Sequence, residues 1–323
     1  MSKQLVLDQA QGKQLGLDAN ETTVLNRELT HLESKIYETL LTELRYRDVV
    51  PVSHAGGPGM RNINYEQVTG IGQAAIITHK SQDIPDSSFF VQEFTIKVRL
   101  IAGKFSVTTQ EIRASVNTNV PISDTKASSM RRGIRQLEST IALQGVANNA
   151  ITGLFGNTNV TMLTASTAAT GSLTVWDANK TNVEILNDVN AIVNKVVDQS
   201  KNRHAADTLL LTPQNRKVLS QRVLTSTSTT LLDHIVNNPE GYGITQILAI
   251  EEMKDAFLPD AVWSGNGMAA YEKNEDNLAL YIPMEMRLLP PQAVNLNINV
   301  IAEVEIAGTV VRRPLSMCFM QGV

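Results

Sequence analysis

Residues 48–101 are patterned like β-strands, but their first half holds too few large apolar residues to form a core, and that restricts what the chain can become. Glycines break the first half: Gly56, Gly57 and Gly59 surround Pro58, and Gly70 and Gly72 punctuate a strand-like run from Tyr65 to His79. Such clusters mark turns or hinges. Ile84-Pro85-Asp86 gives a further turn. Phe94, Ile96, Val98 and Leu100 then alternate with Thr95, Lys97 and Arg99, the period-two signature of a half-buried strand. The pattern predicts a long β-hairpin-like excursion. Ordering it costs about 1–2 kcal/mol of backbone entropy per residue, so it needs a neighbour to lie on.

The rest of the chain has the apolar content that this limb lacks. It totals 323 residues, 42% hydrophobic and 19% charged, enough for two or more packed lobes. Residues 1–20 read as a loose polar arm. Leu25, Leu29, Leu32, Ile36 and Leu40 recur at helical steps, with Thr22 or Thr23 as the cap. The strongest helical pattern is 124–150, capped by Ser123 or Asp124, with Met130, Ile134, Leu137 and Ile141 on one stripe and Gly133 and Gly145 interrupting it. Residues 157–176, rich in Thr, Ser and Ala, read as a linker or short hairpin. A helix through Val189 and Val196, a strand at Thr208–Leu211 and a helix opened by Thr212-Pro213 come next. A short helix over Leu231–Val236 and a strand over Ile244–Ile250 complete an α/β lobe spanning about 160–274. Near the end, Leu296, Ile298, Val300, Ala302, Val304 and Ile306 alternate with mostly polar residues. A tight turn at Ala307-Gly308 then leads to a return strand, with Leu315, Met317 and Phe319 in one phase and Ser316 and Cys318 in the other. The fold class is α+β.

Several functions find no support. The net charge of −4 gives no cationic excess for gripping phosphates, and 5% aromatic residues argue against stacking on single strands. No apolar run approaches the length of a membrane span, and the N-terminus lacks the apolar stretch of a signal peptide. The only cysteine, Cys318, can form no internal disulfide; in an alternating strand it reads as a small buried hydrophobe. His31, His54, His79, His204 and His234 show no ligand spacing, so no metal site is expected. Gly70-Ile71-Gly72 imitates a dinucleotide fingerprint, but the β-branched run after it opens no helix. Gly56-Gly57-Pro58-Gly59 lacks the Gly-Lys-Ser/Thr ending of a phosphate loop. An enzyme using Asp207, His204 or Asp233 has no supporting spacing. Neither a catalytic site nor a cofactor is expected.

The order of motifs resembles the Hong Kong 97-type capsid fold shared by tailed-phage major capsid proteins and encapsulins. The stretches that carry the resemblance are Tyr65…Gly72-Gln73-Ala74-Ala75-Ile76-Ile77, Asp83-Ile84-Pro85 and Ser106-Val107-Thr108-Thr109-Gln110-Glu111-Ile112. The long helix, Gly145…Ile151-Thr152-Gly153-Leu154 and Leu288-Leu289-Pro290-Pro291…Gly308-Thr309-Val310-Val311-Arg312-Arg313-Pro314 complete it. The resemblance implies an N-terminal arm with helix (1–47) and an extended loop (48–105). It further implies a peripheral domain (106–159 and 275–323) with spine helix 124–150, and an axial domain (160–274). It implies a shell of hexamers and pentamers around double-stranded DNA that is not specifically bound, assembled in a bacterial host cytoplasm. A portal and, given the short arm, a separate scaffolding protein are the expected partners; no membrane is involved. The alternative is an encapsulin-like compartment holding an enzyme. Some members crosslink a Lys of the extended loop to an Asn of a neighbour; Lys80 and the Asn297 or Asn299 region can be imagined in those roles, but no local pattern supports the pairing and no crosslink is expected.

The residues expected at contacts between subunits are Gly56, Gly57, Gly59, Gly70 and Gly72, which let one limb bend differently at different lattice positions, and the charged group Arg131, Arg132, Arg135 and Glu138. With Lys126 this group gives the helix a local excess of 4 − 1 = +3. It reads either as a solvated face or as a strip that meets an acidic neighbour.

Overall fold

The computed structural model describes residues 44–74, 76, 86–111, 122–146, 151–169, 174–177, 179–224, 228–259 and 262–323. The expected arm and its Leu25–Leu40 helix, the turn at Ile84-Pro85, and Lys80 lie outside them. In chain order the elements begin with a one-turn helix α1 (Tyr46–Val49) and strands β1 (Val52–Ser53), β2 (Asn62–Ile71), β3 (Ser88–Lys97) and β4 (Arg99–Thr108). The long helix α2 (Ile122–Leu143), β5 (Gly145–Val146), β6 (Ile151–Thr152) and β7 (Thr161–Thr164) follow. Helix α3 (Asn182–Gln199), β8 (Thr208–Leu211), α4 (Pro213–Gln221), α5 (Leu231–Val236), α6 (Pro239–Tyr242) and β9 (Gln246–Ala249) come next. The chain closes with β10 (Gly267–Tyr271), β11 (Leu278–Tyr281), β12 (Met284–Leu288), β13 (Gln292–Val294), β14 (Asn297–Ile306), β15 (Gly308–Val311) and β16 (Met317–Gln321).

One five-stranded sheet, in the order β7-β16-β10-β8-β9, separates two cores. Successive side chains on a strand point to opposite faces. Leu210, Ala269, Tyr271, Met317 and Phe319 therefore enter one core with α2, Ile282 and Trp263. Leu209, Leu211, Met268, Ala270, Cys318 and Met320 enter the other, covered by α3 through Ile185, Val189, Ile192 and Val196. Helix α3 starts at a reciprocal cap: Thr181 accepts from the Glu184 backbone N–H, and the Glu184 carboxylate takes the Thr181 N–H. Thr212 caps α4, with Pro213 at its first position, as the sequence suggests.

Strand β14 pairs with β4 over ten residues, from Asn297↔Thr108 to Ile306↔Arg99. Its alternation sets Ala302, Val304 and Ile306 against α2 in the core. Close contact is possible because Gly103 of β4 lies under the helix; a Cβ there would come within 3.2 Å of Ile134 and Met130.

Three expectations need correction. The spine helix ends at Leu143, not 150. Gly145 takes φ +80, and Gly153 lies so close behind it that a Cβ on Gly153 would sit 2.2 Å from the Gly145 nitrogen, so the backbone turns away into β5. The return strand after Ala307-Gly308 is not a hairpin partner of β14. Instead β15 pairs with β11, Leu315 is exposed in a 3-10 turn, and β16 joins the five-stranded sheet beside β10 and β7. That sheet thus draws on both segments that the sequence suggested were separate, 160–274 and 275–323. The stretch 157–176, read as a linker or hairpin, supplies β7, parallel to β16.

Candidate assembly surfaces

The excursion is a two-stranded antiparallel ribbon. Asn62 faces Lys97 at its base and Ile71 faces Ser88 at its far end. Directly opposed residues share a face, so Ile63, Ile96, Tyr65, Phe94, Phe90 and Ile71 lie on one side. Val68, Val91, Phe89, Glu66 and Glu93 lie on the other. The base is anchored. Ile63, Tyr65 and Ile96 pack on a small core of Val98, Ala279, Tyr281, Ala307 and Val310, and Tyr65 stacks on Phe94 with 5.1 Å between centroids. The outer half packs on nothing described. Phe89, Phe90 and Val68 are 70%, 63% and 62% exposed, and Val91 and Ile71 are also exposed. The outer half therefore presents apolar side chains on both faces.

The five glycines divide into two groups. Gly56, Gly57 and Gly59 have φ of +105, +70 and +87, so they shape the turn that enters the ribbon. The Gly59 N–H donates to both carboxylate oxygens of Glu305 at 3.1 and 2.9 Å, which pins that turn to β14. Gly70 sits opposite Phe89 near the ribbon's end. Gly70 and Gly72 have ordinary φ; a Cβ on Gly70 would stand in open space, and one on Gly72 would meet only the Ser87 hydroxyl, at 4.0 Å.

The charged group on α2 is split by the helix. Arg131 and Arg135 are exposed and Arg132 is half-buried, whereas Glu138 is turned inward and is 1% exposed. Glu138 is thus not a surface contact: it accepts from the Tyr46 hydroxyl at 2.5 Å and lies 3.5 Å from Arg47. Arg47 also makes a two-pronged bond to Glu285 of β12, 2.9 Å in each arm. Burial, helped by the Glu138 carboxylate, pushes the Tyr46 phenol up to about 12. The Arg47 guanidinium holds Glu285 below the usual carboxylate range. Sequence patterning could not find this network, because its members are separated by up to 238 residues.

The residues considered for catalysis hold structural places. His204 bonds Glu272 at 2.6 Å. Asp207 accepts from Thr208 and the Lys273 backbone. Asp233 lies in the first turn of α5. Cys318 is fully buried, and burial pushes its thiol up to about 12. Among the described residues no cluster of three or more His, Cys, Asp or Glu could hold a metal, and no helix is long and apolar enough to cross a membrane.

A body with two cores and an outlying ribbon matches known proteins. The model of the major capsid protein family aligns with residues 72–323. The chain belongs to that family. Its fold is that of tailed-phage capsids. The capsid of Myoviridae phage XM1 superposes with a TM-score of 0.77 at 14% identity, over 92% of this chain and 98% of that one. The structure from Mycobacterium phage Ogopogo gives 0.61 at 11% identity, over 96% and 98%. A virus-like particle from Pyrococcus furiosus gives 0.50 at 12%, over 84% and 90%. No curated protein sequence is similar enough to count as a relative.

Proposed function

We propose that copies of this chain close into an icosahedral-type shell of hexamers and pentamers around double-stranded DNA. Assembly takes place in the cytoplasm of a bacterial host, with a portal and a separate scaffolding protein as partners. In this reading residues 1–47 are an arm, 48–105 the extended loop, 106–159 and 275–323 the peripheral domain, and 160–274 the axial domain. The glycines Gly56, Gly57, Gly59, Gly70 and Gly72 and the arginines Arg131, Arg132 and Arg135 serve contacts between subunits. With a net charge of −4, the shell encloses DNA without gripping it.

The observation that carries the reading is the apolar outer half of the ribbon. A two-stranded hairpin is marginal in water on its own, and this one exposes Val68, Phe89, Phe90 and Val91. Covering both faces takes two surfaces, and repeated neighbours in a closed lattice supply them. The compartment alternative is less favoured, since the family model that matches residues 72–323 is that of major capsid proteins.

The test replaces the outer half without touching the anchored base: Phe89→Ser, Phe90→Ser and Val91→Thr in one chain. Thermal unfolding of the free subunit should stay within a few degrees of the parent, and negative-stain images should show no closed particles. Normal particles from this variant would remove the ribbon from the assembly contact.

A further inference from the structure

Glu66 and Glu93 stand directly opposite each other in the ribbon, both exposed and on the same face as Val68, Val91 and Phe89. Like charges opposed across a strand pair repel. The local relief is slight: the Asn64 amide reaches Glu93 at 2.5 Å, and among the described residues Glu66 has no ion pair. The next basic residue on that face, Lys97, lies two pairs away. A free subunit thus carries an uncompensated pair of carboxylates beside its unburied apolar patch.

The exposed side of α2 carries the opposite charge at a matching interval. Arg131 and Arg135 are four residues apart, about 6 Å along a helix and on the same side. Neither makes an ion pair with any described residue. Carboxylates on directly opposed strand positions have Cβ atoms about 5 Å apart. Two cations about 6 Å apart and two anions about 5 Å apart pair one to one.

We propose that in the shell the Glu66–Glu93 pair of one subunit's ribbon docks on the Arg131–Arg135 pair of a neighbouring subunit's α2. The proposal rests on the shell reading above and names the charged partner of the ribbon. The acidic pair sets the register and the adjoining apolar side chains supply the buried area. In free subunits neither pair has a countercharge among the described residues, so the charges favour association between copies.

Two experiments test it together. The first mixes two differently tagged chains, one carrying Glu66→Cys and the other Arg131→Cys; the native Cys318 is buried. Mild oxidation of assembled material should give a crosslink joining the two tags. The same ribbon variant paired with Arg216→Cys, an exposed site on α4, should give none. The second reverses charges. Glu66→Arg with Glu93→Arg, or Arg131→Glu with Arg135→Glu, should each lower particle yield at least about tenfold, and the chain carrying all four changes should recover it. Absence of the crosslink from parent-like particles overturns the pairing and leaves the shell reading intact. Reversals that are not rescued in combination, while each variant subunit still folds, also overturn it. So does an arginine reversal that lowers packaged DNA but not particle number, which would assign the arginines to nucleic acid. If reversed chains fail to fold, the crosslink alone decides. A parent chain that stays monomeric with and without its scaffold defeats the shell reading and this proposal together.

Discussion

Removing one charge from the interior of the α3 lobe should cost this protein a large part of its stability. The Lys180 side chain is fully buried and that of Asp188 nearly so, with Nζ 2.5 Å from Oδ2. The ammonium also donates to the Ser166 carbonyl at 2.7 Å and the Thr174 carbonyl at 2.8 Å. The carboxylate in turn accepts from the Ser166 N–H, the Ser166 hydroxyl and the Trp176 indole at 3.0, 2.7 and 3.0 Å. The pair thus ties residues 166–180 to α3. Lys180→Met keeps the apolar stem and removes the charge. Breaking a buried pair from one side costs about 3–5 kcal/mol. Three remaining donors still serve the Asp188 carboxylate, which places the expected loss at the lower end, about 3 kcal/mol. Adding Asp188→Leu strands the indole and serine donors instead of a charge, so the double variant should lose less than the two single losses added together. The assay is urea unfolding of unassembled subunits. Trp263→Phe serves as background, so that Trp176, in the α3 core, is the reporter. Net stabilities of about 5–15 kcal/mol make a 3 kcal/mol loss easy to resolve. A loss below about 1 kcal/mol for Lys180→Met would refute the view that this ammonium is needed where it is buried.

Two further outcomes follow from local geometry. Gly153→Ala drives a Cβ into the backbone of Gly145 and Gln144. It should destabilise at or beyond the upper end of the usual overpacking cost of about 1–3 kcal/mol. Gly133→Ala meets no atom within 4 Å and should stabilise the free subunit by up to about 1 kcal/mol through helix propensity; denaturation midpoints that move the other way would contradict both. Alkaline pH should loosen the contact between α1 and α2. Tyr46 keeps its proton to about 12 in the folded chain against about 10 when unfolded, so only the unfolded state loses that proton between those values. The stabilisation is complete below pH 10 and gone above 12. Tyr46→Phe should flatten the fall of Tm with pH in that window, and an unchanged slope would show that the phenol does not contribute.

Short-range patterning was enough to locate most helices. The steps through Val189, Ile192 and Val196 mark α3, Thr212-Pro213 marks the start of α4, and the alternation from Ile298 to Ile306 marks β14, because each depends on neighbours within a few residues. Pairing was not legible. β7 is four residues of Thr, Met and Leu whose partner lies about 157 positions away in β16, and nothing local distinguishes it from a linker. The end of α2 was missed because Gly145 acts through its close approach to Gly153, which only the fold creates. The assembly surfaces were partly visible. The β-hairpin-like excursion was legible from its glycines and its alternation, but the exposed apolar cluster of Phe89, Phe90 and Val91 was not singled out, because a run of apolar residues in a strand reads the same whether it is covered or bare. Glu138 was grouped with Arg131 and Arg135 by sequence proximity and lies on much the same side of the helix, but from Glu138 onward α2 runs into the core, where only Thr140 of residues 138–143 is exposed, and Glu138 meets Tyr46 there. The opposition of Glu66 and Glu93 depends on the β2–β3 register, which the sequence leaves open across the sixteen residues between the strands.

The two cores and the ribbon give the molecule an uneven distribution of stability, and this suits a part that must be made before it is assembled. The three central strands of the five-stranded sheet, β16, β10 and β8, are almost entirely buried on both sides; α3 covers one face, and the core on the other face continues to α2, which packs on β4. The ribbon leaves the body beside Gly59, which Glu305 fixes, and beside the small cluster under Tyr65; beyond these it has only its own ladder. Segments with few buried contacts open at the lowest free energy, so the outer ribbon is where a neighbour's surface adds most. A partner that covers Phe89 and Phe90 stabilises the segment least supported by the subunit itself.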